Sequence, residues 1–266
     1  MINANEVISH LEQLGTWVNW DKTRDVVLFN EADKMIEKIG VCWILTDKAL
    51  DQAIANDIKF IVTHENCFYF ESTHQYRLLL ESRRRKQKRL EENNITVYRS
   101  HDVWDYVAEE GNIDSFKTAL GYQFEKRQTN EKYSVAYLQD QSVKDVAKKV
   151  AQVLSEHGQD HCDVLGDLDK KINGFALGIG AACNLFDMLK YPNVNCVLIS
   201  DDGACNWVDH QYCLDNDIAI IVVHHSCNEI LGMKSMAKYL KRHFSELDVH
   251  YLDEGFRYQT ITVNKE

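Results

Sequence analysis

Apolar and polar positions along the chain alternate between a helical and a strand period. The opening residues, MINANEVISHLEQLG, put Val7, Ile8, Leu11 and Leu14 on one face at helical spacing, which predicts an amphipathic helix. GVCWILT (40–46) is a run of strand length, and 47–55 returns to helical spacing with Asp47 available as its N-cap. IKFIVT (58–63) is the next buried strand, so this stretch reads as a βαβ unit with parallel strands. A long helical stretch over 75–93, a short strand over 95–99 and helices around 103–110 and 113–120 follow.

The pattern then begins again. Residues 133–138 are strand-like, and 143–157 form a helix with Val143, Val146, Val150, Val153 and Leu154 as its apolar positions. Strands are predicted over 172–177, 194–200 and 218–223, and helices over 181–189, 206–215 and 229–244. The chain closes with 249–252 and 257–263, whose alternation suits an antiparallel edge. One echo ties the halves together. Asn-Asp-Ile-Lys-Phe-Ile-Val-Thr-His (56–64) returns as Asn-Asp-Ile-Ala-Ile-Ile-Val-Val-His (216–224), each time as a helix end, a turn, a buried strand and a histidine. The reading is an α/β fold of two similar lobes related by an internal duplication, 1–128 and 129–266. In parallel sheets ligands bind beyond the carboxyl ends of strands, and both histidine turns lie there.

Composition narrows the class. Of 266 residues, 45% are hydrophobic and 27% charged, enough for a packed core and too much for disorder. No run of about 18 apolar residues predicts a membrane span, and the first residues lack the pattern of a signal peptide, so a cytoplasmic protein is expected. The net charge of -11 disfavours nucleic acid and anionic membranes as partners. The local exception is the basic stretch 83–89, read first as a solvated helix face or subunit contact, with a basic patch for phosphates as the alternative. Eight scattered cysteines without a Cys-x-x-Cys pair read as reduced, packing residues.

Candidate chemistry stands at strand ends: His64-Glu65, then His101-Asp102 through Asp105, then His224-His225 through Glu229, and more weakly Asp201-Asp202 with Asp209-His210. His101 and Asp105 are four apart, as are His225 and Glu229, so each pair shares a face if its segment starts a helix. An imidazole and a carboxylate on one face suit a divalent zinc, manganese, iron or magnesium ion, and this many donors suits two ions. Against this, one His-x-x-x-Glu pair is more often a surface pair. His224 reads equally as a core histidine, His101 as a capping one, and Cys67 and Cys227 as packing. His157 and His161 read as solvent exposed. Gly178-Ile179-Gly180 is either a tight strand-to-helix turn or a phosphate cradle on helix N–H groups.

In this order the motifs resemble the NIF-three-like family, also called GTP cyclohydrolase I type 2-like proteins, over nearly the whole chain. The matching pieces are Trp20-Asp21; Thr63-His64-Glu65-Asn66 where the family shows Thr-His-His-Pro; Tyr98-Arg99-Ser100-His101 through Asp105; the turn Gly178 to Gly180; and His224-His225 through Glu229, where the family shows Gly-His-x-x-x-Glu. The resemblance implies two divalent ions held between the two lobes by His64, Asp105, His225 and Glu229. Glu65 stands in the place of a second histidine ligand, and His101 is the candidate catalytic base or substrate contact. It also implies a homohexamer and a nucleotide or other small-molecule substrate for a metal-dependent hydrolase. The alternative is a non-catalytic metal-binding or interaction scaffold, for which the altered His-His-Pro motif speaks.

Overall fold

A computed structural model describes residues 1–69, 76–128, 130–203 and 206–263. Cys205 and the predicted helix start at Gln75 lie outside these. By internal contacts the chain divides into two units, Met1–Gly111 with Gly232–Gly255, and Asn112–Leu231 with Phe256–Glu266. A single cut at 128 does not describe this division, because the last strand returns to the first sheet.

In the first unit β1 (Ile2–Asn3) leads into α1 (Ala4–Leu14), which is closed by a capping box of Asn3 and Glu6 and buries Val7, Ile8 and Leu11. There follow β2 (Val26–Phe29), β3 (Met35–Ile36), β4 (Lys38–Cys42), α2 (Asp47–Ala55), β5 (Phe60–Thr63), α3 (Arg77–Glu92) and β6 (Thr96–Arg99). The N-cap of α2 is Thr46, whose side chain accepts from the Ala49 N–H, and Asp47 is the first helical residue. Residues 103–110 form turns where a helix was predicted.

The second unit contains α4 (Asn112–Leu120), β7 (Ser134–Tyr137), α5 (Val143–Leu154), β8 (Asp163–Leu165), β9 (Gly174–Leu177), α6 (Leu185–Met188), β10 (Val194–Ser200), α7 (Trp207–Asp215) and β11 (Ala219–Val223). Helix α6 covers only the end of the predicted 181–189. Helix α8 (His225–His243) begins four residues before the prediction, and the division between units falls within it. Strand β12 (Asp248–Tyr251) then joins the first unit. It pairs parallel with β4, not antiparallel, and 257–263 carries no strand.

The first sheet has the order β12-β4-β5-β6-β2, with only β2 antiparallel to its neighbour. The second has the order β7-β9-β10-β11-β8, with β7 and β8 antiparallel at the edges. The lobes therefore share a parallel core in which β4-α2-β5 corresponds to β10-α7-β11. Their cores are separate: Leu45, Leu50, Ile61, Leu90 and Val97 in the first, Ala176, Met188, Val197, Ile199 and Ile220 in the second.

The echo has a structural cause. Asn56 ends α2, Asp57 takes φ +55°, and the Ile58 N–H reaches back to the Ala53 carbonyl. Asn216, Asp217 at φ +53° and the bond from Ile218 N–H to the Cys213 carbonyl repeat this. A left-handed residue just past a helix end satisfies its last carbonyls, and Asn or Asp adopts that conformation more readily than other side chains. The α3 to β6 turn uses the same device, with Asn94 at φ +52° and Ile95 bonded to Leu90. No helix among the described residues is long and apolar enough to cross a membrane.

Candidate metal centre

The first lobe brings together His64, Glu65, His101 and Asp105. His64 follows β5 and is fully buried. Its N–H donates to the Trp43 carbonyl at 3.0 Å, and the Glu65 N–H donates to the same carbonyl at 2.8 Å. The ring's Nδ1–H donates to the Ser100 carbonyl at 3.2 Å, which turns Nε2 toward Asp105 Oδ1, 3.4 Å away. The His101 ring stacks on that of His64, 4.3 Å between centroids and 9° from parallel. His101 Nδ1 lies 3.0 Å from Asp102 and 3.5 Å from Asp105, and Nε2 lies 3.7 Å from Glu65. Ligand atoms of His64, His101 and Asp105 all fall within 4.8 Å of one another.

The turn that carries His101 and Asp105 is closed by a bond from the Asp105 N–H to the His101 carbonyl, at 3.0 Å. Four-residue spacing thus works without a helix. What fixes the turn is Asp25. Its buried carboxylate accepts from the N–H groups of His101, Asp102 and Val103 at 2.9, 2.7 and 3.4 Å. Asp102 in turn accepts from Thr23 and from the Arg24 N–H. Sequence reasoning missed Asp25. Trp20 and Asp21, which carry the resemblance near the N-terminus, are exposed, and the acid that acts on the cluster lies four residues later.

The second lobe brings together His225 and Glu229 on the first turn of α8. His225 Nε2 is 2.8 Å from Glu229 Oε2, and Nδ1 is 2.7 Å from Asp202 Oδ2. Asp201 accepts the His225 N–H at 3.0 Å and the His224 Nδ1–H at 2.8 Å. His224 is neither a core residue nor part of the His225–Glu229 pair: its ring stacks on Tyr258 at 3.6 Å, and the Tyr258 hydroxyl meets Ser226 Oγ at 3.2 Å. His157 and His161 are half-buried rather than exposed, and the His161 ring meets His224 edge-on. Asp209 lies on α7 and makes no ion pair with these residues.

Gly178 to Gly180 has a different role from a helix-borne phosphate cradle, since no helix opens until Leu185. Gly180 sits at φ +67°, and a Cβ there would stand 2.5 Å from Glu229 Oε1 and 3.4 Å from His225 Nε2. The turn presses against this pair, and only glycine leaves room.

The electrostatics agree with a cation site. Burial alone would lower the His101 pKa, but Asp105, Asp102 and Glu65 lift it to about 10. Burial likewise opposes charge on His225, while Glu229 and Asp202 raise it to about 11. A nearly buried carboxylate such as Glu229 needs a cation beside it. The surrounding carboxylates favour the cationic form of His225, which provides such a charge. The donor set fits a divalent ion equally well. Nδ1 of His64, His101 and His225 is held by a carbonyl or carboxylate, and each Nε2 faces a carboxylate, as outer partners of metal-binding histidines commonly arrange.

The described cysteines are free thiols. Burial pushes Cys67 up to about 12, and it packs in the hydrophobic core of the first unit.

A sequence model of the family Duf34/NIF3 (NGG1p interacting factor 3) matches residues 2–254. The chain is 22% identical over 227 residues to a "GTP cyclohydrolase 1 type 2 homolog" of Clostridium acetobutylicum, covering 81% of this chain and 80% of that one. Among solved structures, a Bacillus cereus protein related to NIF3 superposes with a TM-score of 0.78 at 13% identity, over 99% of both chains. A hypothetical protein of Staphylococcus aureus also gives 0.78 at 13% identity, over 97% of this chain and 99% of that one.

Proposed function

Because the chain belongs to the Duf34/NIF3 family, we propose that it is a metal-dependent hydrolase carrying two divalent ions, with His64, Glu65 and Asp105 as ligands from the first lobe and His225 and Glu229 from the second. The observation that carries this reading is the orientation of the imidazoles, each with Nδ1 anchored and Nε2 turned to a carboxylate. Ions held on such donors supply a nucleophile at neutral pH and Lewis-acid activation of the substrate.

The chain's own residues do the rest. Glu65 and Glu229 would be among the carboxylates that hold the ions. His101 is the acid–base residue: Asp102 and Asp105 hold its Nδ1, and Nε2 moves a proton to or from the reacting group. The relative's printed name makes a guanine nucleotide the first substrate to try; water would add at C8 of the purine, the imidazole ring would open to a formamide, and a second water would release formate and leave the amine. By the same resemblance the protein assembles as a homohexamer, and sedimentation near the monomer mass overturns that part.

The test is metal content by elemental analysis of tag-free wild type, Glu229→Gln and Asp105→Asn, followed by formate release from GTP. About two ions per chain, falling sharply in both variants, is the expected result for a two-ion site of this donor type. No metal after loading with zinc, manganese or iron overturns the reading. A second reading, a metal-holding interaction scaffold, is favoured by Glu65 in place of a histidine. Full metal content without turnover on nucleotide, phosphoester and amide panels would select it.

A further inference from the structure

Arg99 ends β6, two residues before His101, and is only 8% exposed. Its Nε–H donates to the Arg24 carbonyl. Its two terminal nitrogens have no hydrogen-bond partner among the described residues. A guanidinium carries five donors in a planar fork, and the terminal ones here are not among the buried atoms left without a partner, so they reach solvent at the edge of a largely buried side chain.

The neighbouring acids do not consume them. Glu65, Asp25 and Asp102 all lie within electrostatic reach of Arg99. Yet Asp25 is committed to the N–H groups of His101, Asp102 and Val103. Asp102 is engaged by His101, Thr23 and the Arg24 N–H, and Glu65 faces His101.

Other cations gather on the same side. Arg99, Lys86 and Arg83 all act on Cys67. Lys86, inside the basic stretch of α3, is buried and donates to the carbonyls of Leu45 and Cys67, so that stretch is not wholly a solvated face. Arg83 lies over the Phe68 ring, 5.4 Å from its centre. Arg24 is largely exposed, 3.6 Å from Asp102.

We infer that Arg99, with Arg24 beside it, is a subsite for the phosphoryl group of a phosphate-bearing small molecule whose reacting part lies at the His64–His101–Asp105 cluster. A planar fork matches two phosphoryl oxygens at once, and several cations suit a group with more than one negative charge. The placement of the reacting part rests on the hydrolase reading; the anion subsite does not.

The test is calorimetric titration of inorganic pyrophosphate into metal-loaded and chelator-treated protein, for wild type, Arg99→Met and Arg99→Lys. Wild type binds in both metal states. Arg99→Met, with metal content unchanged, binds roughly tenfold or more weakly, the size expected for lost charge-assisted hydrogen bonds. Arg99→Lys keeps the charge but loses the fork and falls between the two. Should the methionine variant not fold, the lysine variant carries the test alone. Wild-type affinity in whichever variants fold overturns the inference. So does binding that disappears on chelation, since a metal ion then holds the anion. Pyrophosphate affinity with no metal and no turnover would instead sink the hydrolase reading and leave this one standing.

Discussion

His64 and His224 end equivalent strands after equivalent turns, yet they do different work. In the first lobe the histidine straight after the strand is the ligand candidate. It is buried, and a backbone carbonyl, that of Trp43, receives its N–H and that of Glu65. In the second lobe the candidate comes one residue later. His224 stacks on Tyr258, and His225 starts a helix with its N–H on the carboxylate of Asp201. The duplicated part is the helix end, the left-handed Asp and the strand. Divergence begins at the residue where chemistry begins. Strand and turn are fixed by packing and backbone bonding that both lobes share, whereas the loop beyond them is free to change its anchors.

The largest effect should follow from closing the second lobe's glycine turn. Gly180→Ala places a Cβ against Glu229 at a backbone conformation that alanine resists, and about 2–4 kcal/mol of stability should be lost. The urea midpoint reads the loss, and metal content should fall with it. A variant of wild-type stability and metal content would show that the turn does not constrain Glu229. Next comes a matched pair. Asp25→Ala strands buried N–H groups of the ligand turn and should cost about 2–3 kcal/mol. Asp201→Ala removes a carboxylate whose side chain is 44% exposed, so water replaces it and about 1 kcal/mol is expected. Equal losses would break the contrast between an anchor built into the core and one at the surface.

Much of this was legible in the chain. Buried parallel strands announce themselves as apolar runs, so β4, β5, β6, β9, β10 and β11 were all found within a few residues. The echo located both ligand turns. The other pieces escaped for different reasons. Strand β8 is a short edge held by pairing with β11 rather than by an apolar pattern of its own, whereas β2 does carry an apolar run, VVLF, but is a partly exposed edge of four residues paired with β6. The 103–110 segment has helical spacing but forms turns; Asp25 holds the N–H groups at its start, which a helix would equally leave for a side chain, so spacing does not separate the two. The tail's alternation gave the wrong edge, because β12 pairs by register with β4, at the far end of the sequence. Of the site, every ligand candidate falls into one of two clusters. Of the partners that orient them, Asp202 and Gly180 stand in stretches the sequence singles out, Gly180 in a different role, whereas Asp25 and the Ser100 carbonyl act through backbone atoms or distant pairings that spacing cannot reveal.

Smaller effects sharpen the comparison further. Tyr258 belongs to the second lobe's version of the turn alone. Tyr258→Ala should cost about 1–2 kcal/mol by removing the ring on His224. Tyr258→Phe keeps the ring, loses only the Ser226 bond and should cost about 0.5–1 kcal/mol. Both variants should weaken metal binding less than Glu229→Gln does, because His225 keeps Asp202 on Nδ1. If the phenylalanine variant loses as much as the alanine one, the hydroxyl and not the stack holds the turn.

The smallest effect tests the duplication itself. Asp57→Gly and Asp217→Gly each place glycine at a left-handed position that an L side chain occupies with some strain. Relief of that strain slightly exceeds the added freedom of the unfolded chain, so each should stabilise by about 0.5 kcal/mol. Both positions also carry exposed carboxylates, paired with Lys59 in one lobe and Lys170 in the other. Those pairs lie at the surface, so the comparison must be made at high salt, where they are screened. Equal gains would mean that the two lobes still share one turn energetically as well as in sequence. A gain at one position and a loss at the other would mean that only the letters of the echo have been kept, and that each lobe now holds its strand by different contacts.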